Sequence, residues 1–453
     1  MVCFAGRERG GGPDSGAAAV QIRTFKEHRG NTNKPYYVKG LFLDTPEIGQ
    51  IRARRGWALV EGDCLAAFRT DAPEGSQTPI LDFGDQLILP GFTDLHLHAA
   101  QYAYCGTAMD VELIQWLRDY AYPEESRFAD PAYAERQYAL FVRDLKASAT
   151  TRACIFASLH TDATLILMRQ MEEAGLRGYV GKLAMNRNCP DTYREPSTEE
   201  GVRETERWLD ACDAMGFSRV RPILTPRFIP SVTDDYMAAL GRIARERNVP
   251  MQSHLSENRD EIAWVRSLCP DTRFYGEAYA RWGLFGGDCP TVMAHCIYSG
   301  EAECALMKQN GVMIAHCPTS NENVIAGIAP AARYLRRGWR IGLGSDVSGG
   351  HTLNLFAVMM AAIQNSKIYW RYVSQLEKPL TVADTLYMAT AGGGRFFGKV
   401  GLFEPGYQFD AVVLSEAGLN STREFSPLER LERYVYRGSG NPQAKFCAGE
   451  RIV

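Results

Sequence analysis

The 453-residue chain has 12 cysteines, yet no two of them stand in a Cys-x-x-Cys pair. The spacings of zinc ribbons and dithiol redox motifs are therefore missing. A chain this long can build a core without disulfide staples, and the scattered cysteines read as reduced thiols of a cytoplasmic protein. No apolar run approaches the roughly 18 residues of a membrane span. The longest, Leu355 to Ile363, meets Gln364 and Asn365 and reads as a buried helix. Charge of one sign is not in excess: 50 Lys and Arg against 53 Asp and Glu give a formal −3. That balance offers no electrostatic reason for a nucleic-acid partner. The opening residues Met1 to Gly6, and the basic, Gly-rich stretch through Gly12, contain no apolar signal-peptide region. No internal repeat or long low-complexity tract is visible.

The composition is that of a globular protein, 45% hydrophobic and 23% charged, with enough apolar material for a large core. Residues 1–34 are polar and aperiodic and are expected to be a largely disordered lead-in. From Tyr36 to Leu89, short apolar runs alternate with Gly, Asp and Pro, a strand-and-turn pattern. After Pro90 the rhythm changes. Eight candidate strands follow: Phe92–His98, Thr151–Phe156, Gly178–Gly181, Val220–Thr225, Met251–Leu255, Thr291–Cys296, Val312–His316 and Ile341–Asp346. Helical patterns lie between them, among them Pro131–Lys146, Thr198–Met215 and Asp234–Arg247, and Ser197 to Glu200 reads as a capping box. Strand–helix alternation of this length predicts parallel strands and a (β/α)₈ barrel. Strand character returns at Phe409–Leu414, Tyr434–Tyr436 and Lys445–Val453. The expected organisation is α/β: a barrel over residues 90–394 and a small β-sandwich domain from 35–89 plus 395–453.

Polar residues at the C-terminal ends of barrel strands are the catalytic candidates. The first strand ends Asp94-Leu95-His96-Leu97-His98, the fifth at His254, the sixth at His295 and the eighth at Asp346. His96 and His98, two residues apart in a strand, point the same way. Each signal alone has an ordinary reading as a core histidine or a turn. Together, at one end of one barrel, they describe a mononuclear metal site with room for water. Glu257, three residues past His254, is either a general acid/base above the metal or an acid at a helix start, since Arg259-Asp260-Glu261 follows. Lys182, closing the third strand, is expected to pair with a carboxylate rather than bridge two metals.

Pro90-Gly91-Phe92-Thr93-Asp94-Leu95-His96-Leu97-His98 resembles the P-G-x-x-D-x-H-x-H signature of the amidohydrolase superfamily. His254-Leu255-Ser256-Glu257, Ala294-His295-Cys296, His316 to Asn321, Gly344-Ser345-Asp346 and the segment from Gly401 to Ala411 resemble its later motifs, with Phe409 where Ala is usual. Within the superfamily the closest likeness is to the guanine deaminase family. It is carried by His98 to Tyr102, the block around Trp116, Pro123 and Arg127-Phe128, Ser158 to Asp162, Thr225 to Phe228, Ser253 to Glu261 and Ser345 to Gly350. The resemblance implies one Zn²⁺ per chain on His96, His98, His254 and Asp346, and a homodimer. It implies purine contacts from Gln101, Arg227, Phe228, His98 and Glu257, and catalysis by Glu257, His295 and Asp346. Zinc makes hydroxide available at neutral pH. Asp346 would take the water proton, His295 would orient the nucleophile, and Glu257 would protonate the ring nitrogen beside the carbon losing its amine. On guanine the products are xanthine and ammonia. The alternatives are a superfamily deaminase or chlorohydrolase acting on another heterocycle, such as 8-oxoguanine or a triazine, and a non-catalytic binding barrel.

Overall fold

The computed structural model describes residues 34–453. The expectation of a disordered lead-in therefore lies, Lys34 apart, outside the described residues. The chain starts with four strands, β1 (Tyr36–Glu47), β2 (Gln50–Glu61), β3 (Cys64–Arg69) and β4 (Ile80–Pro90). Eight regular parallel-sheet strands follow with two short accessory ones between: β5 (Phe92–His98), β6 (Thr150–Phe156), β7 (Arg177–Gly181), β8 (Leu183–Ala184), β9 (Val220–Pro222), β10 (Thr225–Pro226), β11 (Met251–Leu255), β12 (Thr291–His295), β13 (Met313–His316) and β14 (Arg340–Leu343). The last three are β15 (Ala411–Leu414), β16 (Pro442–Cys447) and β17 (Glu450–Arg451).

The two chain ends meet in one seven-stranded sheet, ordered β17-β16-β15-β4-β1-β2-β3. Its centre is the antiparallel pairing of β15 with β4 and the parallel pairing of β1 with β4. Alternating residues of these strands, Val38, Phe42, Ile88, Val413 and Phe446 among them, form an apolar cluster of their own. This sheet is fastened to β6 by a buried ion pair. Arg152 of β6 donates from Nε to Asp410 Oδ2 at 2.6 Å, and both side chains are fully enclosed. Nearby, Lys445 of β16 donates to the carbonyls of Leu145, Ser148 and Thr150.

The other strands make two four-stranded parallel sheets, β5-β6-β7-β9 and β11-β12-β13-β14. Both seams between them carry backbone hydrogen bonds. At one, Gln252 N–H donates to Leu224 O and Leu224 N–H to Pro250 O. At the other, Asp346 N–H donates to His96 O at 2.8 Å and His98 N–H to Val347 O at 2.6 Å. β5, β6, β11, β12 and β13 are buried along their whole length, as parallel strands covered on both faces must be.

Helices span Pro131–Ala147, Thr198–Met215 and Asp234–Arg247, and Ser197 caps the second by accepting from Glu200 N–H. Four details depart from the sequence reading. The fourth strand stops at Pro222, and a separate short strand, β10, follows and pairs with β8. The eighth ends at Leu343, not Asp346, because Asp346 takes a left-handed φ of 46°. The buried helix from Leu355 does not end at Gln364 but runs to Tyr372, its polar residues turned outward or paired. Tyr434–Tyr436, expected as strand, lies in the helix Pro427–Arg437. There Ser426 and Glu429 form a capping box, Pro427 occupies the first turn, and Leu431, Tyr434 and Val435 bury one face at helical spacing.

Candidate metal centre and substrate pocket

His96 and His98 share the inward face of β5, His254 is the penultimate residue of β11, and His295 is the last of β12. Asp346 reaches them from the loop after β14. Gly344 permits that approach: a Cβ there would lie 3.0 Å from the His96 Cβ and 2.8 Å from Cys317 Sγ. Asp94 fixes it, its Oδ1 accepting from the backbone N–H of His96 at 3.3 Å and of Ser345 at 2.9 Å. His295 and Ser256 join Asp346 in the left-handed region, with φ of 70° and 47°. Such residues cost of order 1 kcal/mol each and persist where surrounding contacts over-determine them, as in functional sites.

Six side chains converge. His96 Nε2 lies 3.1 Å and His98 Nε2 3.4 Å from Asp346 Oδ1. The Nε2 atoms of His98 and His254 are 3.2 Å apart. His295 Nε2 stands 3.5 Å from Glu257 Oε2 and 3.7 Å from Asp346 Oδ2. Ligating atoms of His96, His254 and His295, and of His96, His98 and Asp346, fall within 4.8 Å of one another.

The donor set fits a zinc ion. Nε2 of His96 and of His295 are buried and make no hydrogen bond. His254 places Nδ1 2.6 Å from Arg227 O, an atom that only accepts, so that nitrogen carries the proton and Nε2 keeps its lone pair. His295 Nδ1 is 2.9 Å from Asn321 Oδ1, which orients it likewise. Two nitrogens on one tetrahedral zinc, each at about 2.0–2.1 Å, are separated by about 3.3 Å, close to the His98–His254 distance. Burial pushes the pKa of His96 down, and that of His98 and His254 well down, against the pull of Asp346, so the imidazoles are held neutral as ligands require. Burial alone would raise the Asp346 pKa, but His96, His295 and His98 outweigh it and keep the carboxylate ionised. Glu257 is the opposite case. Burial first, then the charges of Glu261 and Asp346, lifts its pKa well above the carboxylate range.

A pocket of about 430 Å³ opens over this cluster. It is lined by His98, Gln101, Arg227, Phe228, His254, Glu257, His295 and Asp346, with Leu113, Trp116, Leu117, Val324 and Gly349 completing the wall. Every candidate substrate-contact residue thus faces one space, and His96 lies behind it. Phe228 packs edge-on against Trp264 at 5.9 Å between ring centres. Glu257 is not the acid that caps a helix: the helix Arg259–Leu268 is capped by Asn258 with Glu261. Lys182 pairs with Glu195 at 2.6 Å, as expected, away from the pocket. His160 lines a different cavity, beside Lys182 and Arg207. His316 is buried with its pKa pushed down to about 3 by burial and by His295.

Two residues were passed over in the sequence. Asn321 orients His295, and its only signal was membership of the His316–Asn321 motif. Glu125 is 1% exposed and holds both Gln101 and Arg227. Its only signal was an acid inside the Trp116–Phe128 block.

The amidohydrolase family model matches residues 87–451. Guanine deaminase of Dictyostelium discoideum is 35% identical over 391 residues, 84% of this chain and 86% of the relative. Guanine deaminase of Homo sapiens is 35% identical over 383 residues, 81% and 83% of the two chains. Among solved structures, that of guanine deaminase from C. acetobutylicum with bound guanine in the active site superposes with a TM-score of 0.90 at 41% identity, covering 93% of this chain and all of the other.

Proposed function

The chain belongs to the amidohydrolase family, and on that premise we propose that it is a zinc-dependent aminohydrolase converting guanine and water to xanthine and ammonia. The observation that carries the reading is a set of three imidazoles and one carboxylate gathered at a pocket that Glu257, Gln101 and Arg227 also line. The same reading takes the two parallel sheets as one (β/α)₈ barrel, supported by the hydrogen-bonded seams, and the chain-end sheet as a β-sandwich domain. It includes one zinc per chain, a cytoplasmic location, as the scattered cysteines suggest, and a homodimer, as the resemblance implies. No helix among the described residues is long and apolar enough to cross a membrane.

His96, His98, His254 and Asp346 would hold the zinc, which when bound makes hydroxide available at neutral pH. Phe228 offers its face to the purine, and Gln101 and Arg227 hydrogen-bond its polar edge. Glu257, kept protonated by burial, donates to the ring nitrogen next to the carbon under attack, so that negative charge does not accumulate on the ring. Asp346 remains ionised and accepts the proton of the attacking water. His295 stands between the two carboxylates and orients that water. The proton taken up at Asp346 passes to the departing amine, the hydroxyl proton returns to Glu257 as the new carbonyl forms, and ammonia and xanthine are released.

Ammonia release from guanine, adenine, cytosine, 8-oxoguanine and melamine tests the reading. A buried edge built to hydrogen-bond a carbonyl should favour guanine over adenine by about 10⁴ or more in kcat/KM. Comparable rates on the two bases would remove the guanine assignment and leave an aminohydrolase of another heterocycle.

A further inference from the structure

The polar edge of the pocket is organised by a residue that does not line it. Glu125, in the short helix Tyr122–Ser126, is enclosed and accepts three hydrogen bonds. Arg227 donates to it through both terminal nitrogens, Nη1 to Oε2 at 2.6 Å and Nη2 to Oε1 at 3.0 Å. Gln101 Nε2 donates to the same Oε1 at 2.6 Å. On its other side Gln101 Oε1 accepts from the backbone N–H of Ser348 at 3.2 Å. All three side chains are at most 2% exposed.

Building on the guanine reading above, we propose that Glu125 is a positioning residue for substrate choice. It fixes Gln101 and Arg227 as a donor surface that selects a purine bearing a carbonyl, rather than an amino group, at the carbon they contact.

The argument rests on which groups can donate. A carboxylate only accepts and a backbone N–H only donates, so the Gln101 amide has one allowed orientation between Glu125 and Ser348. A flipped amide would set its oxygen against the Glu125 carboxylate and its N–H₂ against the Ser348 N–H. With these bonds made, Gln101 retains one N–H and one lone pair. Arg227 retains Nε–H and one N–H on each terminal nitrogen. What remains is four donors against one acceptor site. Such an edge complements a carbonyl oxygen with a neighbouring unprotonated ring nitrogen, and an amino group there would face a donor with no acceptor. Glu125 also neutralises Arg227. Burial opposes the charged guanidinium, and Glu125 more than restores it, so the donors persist at any working pH. An ion pair needed only for folding would not also have to take the Gln101 amide.

The test compares guanine with 2,6-diaminopurine, which keeps the C2 amino group and carries an amino group where guanine has its carbonyl. Ammonia release is measured on the purified wild type and on Glu125→Gln, with zinc content and far-UV circular dichroism recorded for each. The wild type should prefer guanine by at least about 10³ in kcat/KM. In Glu125→Gln, where the acceptor-only anchor of Gln101 and Arg227 is lost and Ser348 alone orients the Gln101 amide, that ratio should fall at least about tenfold, mainly through a higher KM for guanine, with zinc content unchanged. A folded, zinc-replete Glu125→Gln with the wild-type ratio overturns the inference. Glu125→Asp keeps the charge and the acceptor-only character on a shorter arm, and is the variant read if Glu125→Gln does not fold. It should raise the guanine KM about tenfold with kcat within a few-fold, since misplacement of about 1 Å is enough for such losses. An unchanged KM overturns the inference there too. If the wild type releases no ammonia from guanine, the functional reading falls and takes this inference with it. A wild type active on guanine with an insensitive ratio removes this inference alone.

Discussion

The Nε2 atoms of His98 and His254 lie 3.2 Å apart, although the two residues sit on different sheets and 156 positions apart in the chain. Two neutral imidazoles in this arrangement can share one proton, or both can direct lone pairs at one ion. The backbone carbonyl of Arg227 has already claimed the Nδ1 proton of His254, which leaves its Nε2 as an acceptor. His254→Ala should therefore lose the metal. Zinc measured by inductively coupled plasma mass spectrometry should fall from about one per chain in the wild type to near zero. Full occupancy in the variant would take His254 out of the ligand set.

Glu257→Gln separates a proton carrier from a ligand. The amide keeps the shape and reach of the side chain but cannot donate an acidic proton. The variant should fold, retain its zinc and bind guanine, while kcat drops by at least about 10²-fold. Near-normal turnover would move the proton transfer to another residue. Loss of zinc would place Glu257 among the metal ligands and refute the set of three histidines and Asp346.

Lys445 gives the fold a pH dependence away from the active site. Burial pulls its pKa down to about 7, whereas an unfolded lysine titrates near about 10.4. The three carbonyls favour the ammonium, since a neutral amine keeps only two N–H for them; where burial prevails, the unfolded chain holds between those values a proton that the folded chain has released, and stability rises with pH across about 7 to 10, by at most about 1.4 kcal/mol per unit. Lys445→Met lacks this term. The melting temperature of the wild type minus that of the variant should grow between pH 7 and pH 9. A constant difference would mean that Nζ stays charged on the carbonyls of Leu145, Ser148 and Thr150.

Much of the site was readable from order along the chain. His96 and His98 share a face because strand side chains alternate with period two, and that rule needs no knowledge of the rest of the molecule. The helices Thr198–Met215 and Asp234–Arg247 were legible at both ends because caps and acidic first turns are local. So was the alternation of strands and helices that brings His254 and His295 to the ends of adjacent strands, with Asp346 on the loop after the last. The same local logic failed at Tyr434–Tyr436. Three β-favouring residues outweighed a capping box eight residues upstream, and only burial of Leu431, Tyr434 and Val435 on one face decides for helix.

What the tertiary structure alone decided is which polar groups hold one another. Glu125 meets Gln101 24 positions away and Arg227 102 positions away, and Asp94 meets the Ser345 N–H 251 positions away. No periodicity or capping rule couples residues at such separations. A buried carboxylate is tolerated only where specific partners replace its lost hydration, and those partners exist only once the chain has closed on itself. The candidate metal ligands were thus legible in local sequence order. The proton on His254, the orientation of Gln101 and the raised pKa of Glu257 depend on burial and on distant neighbours, and the fold supplies both.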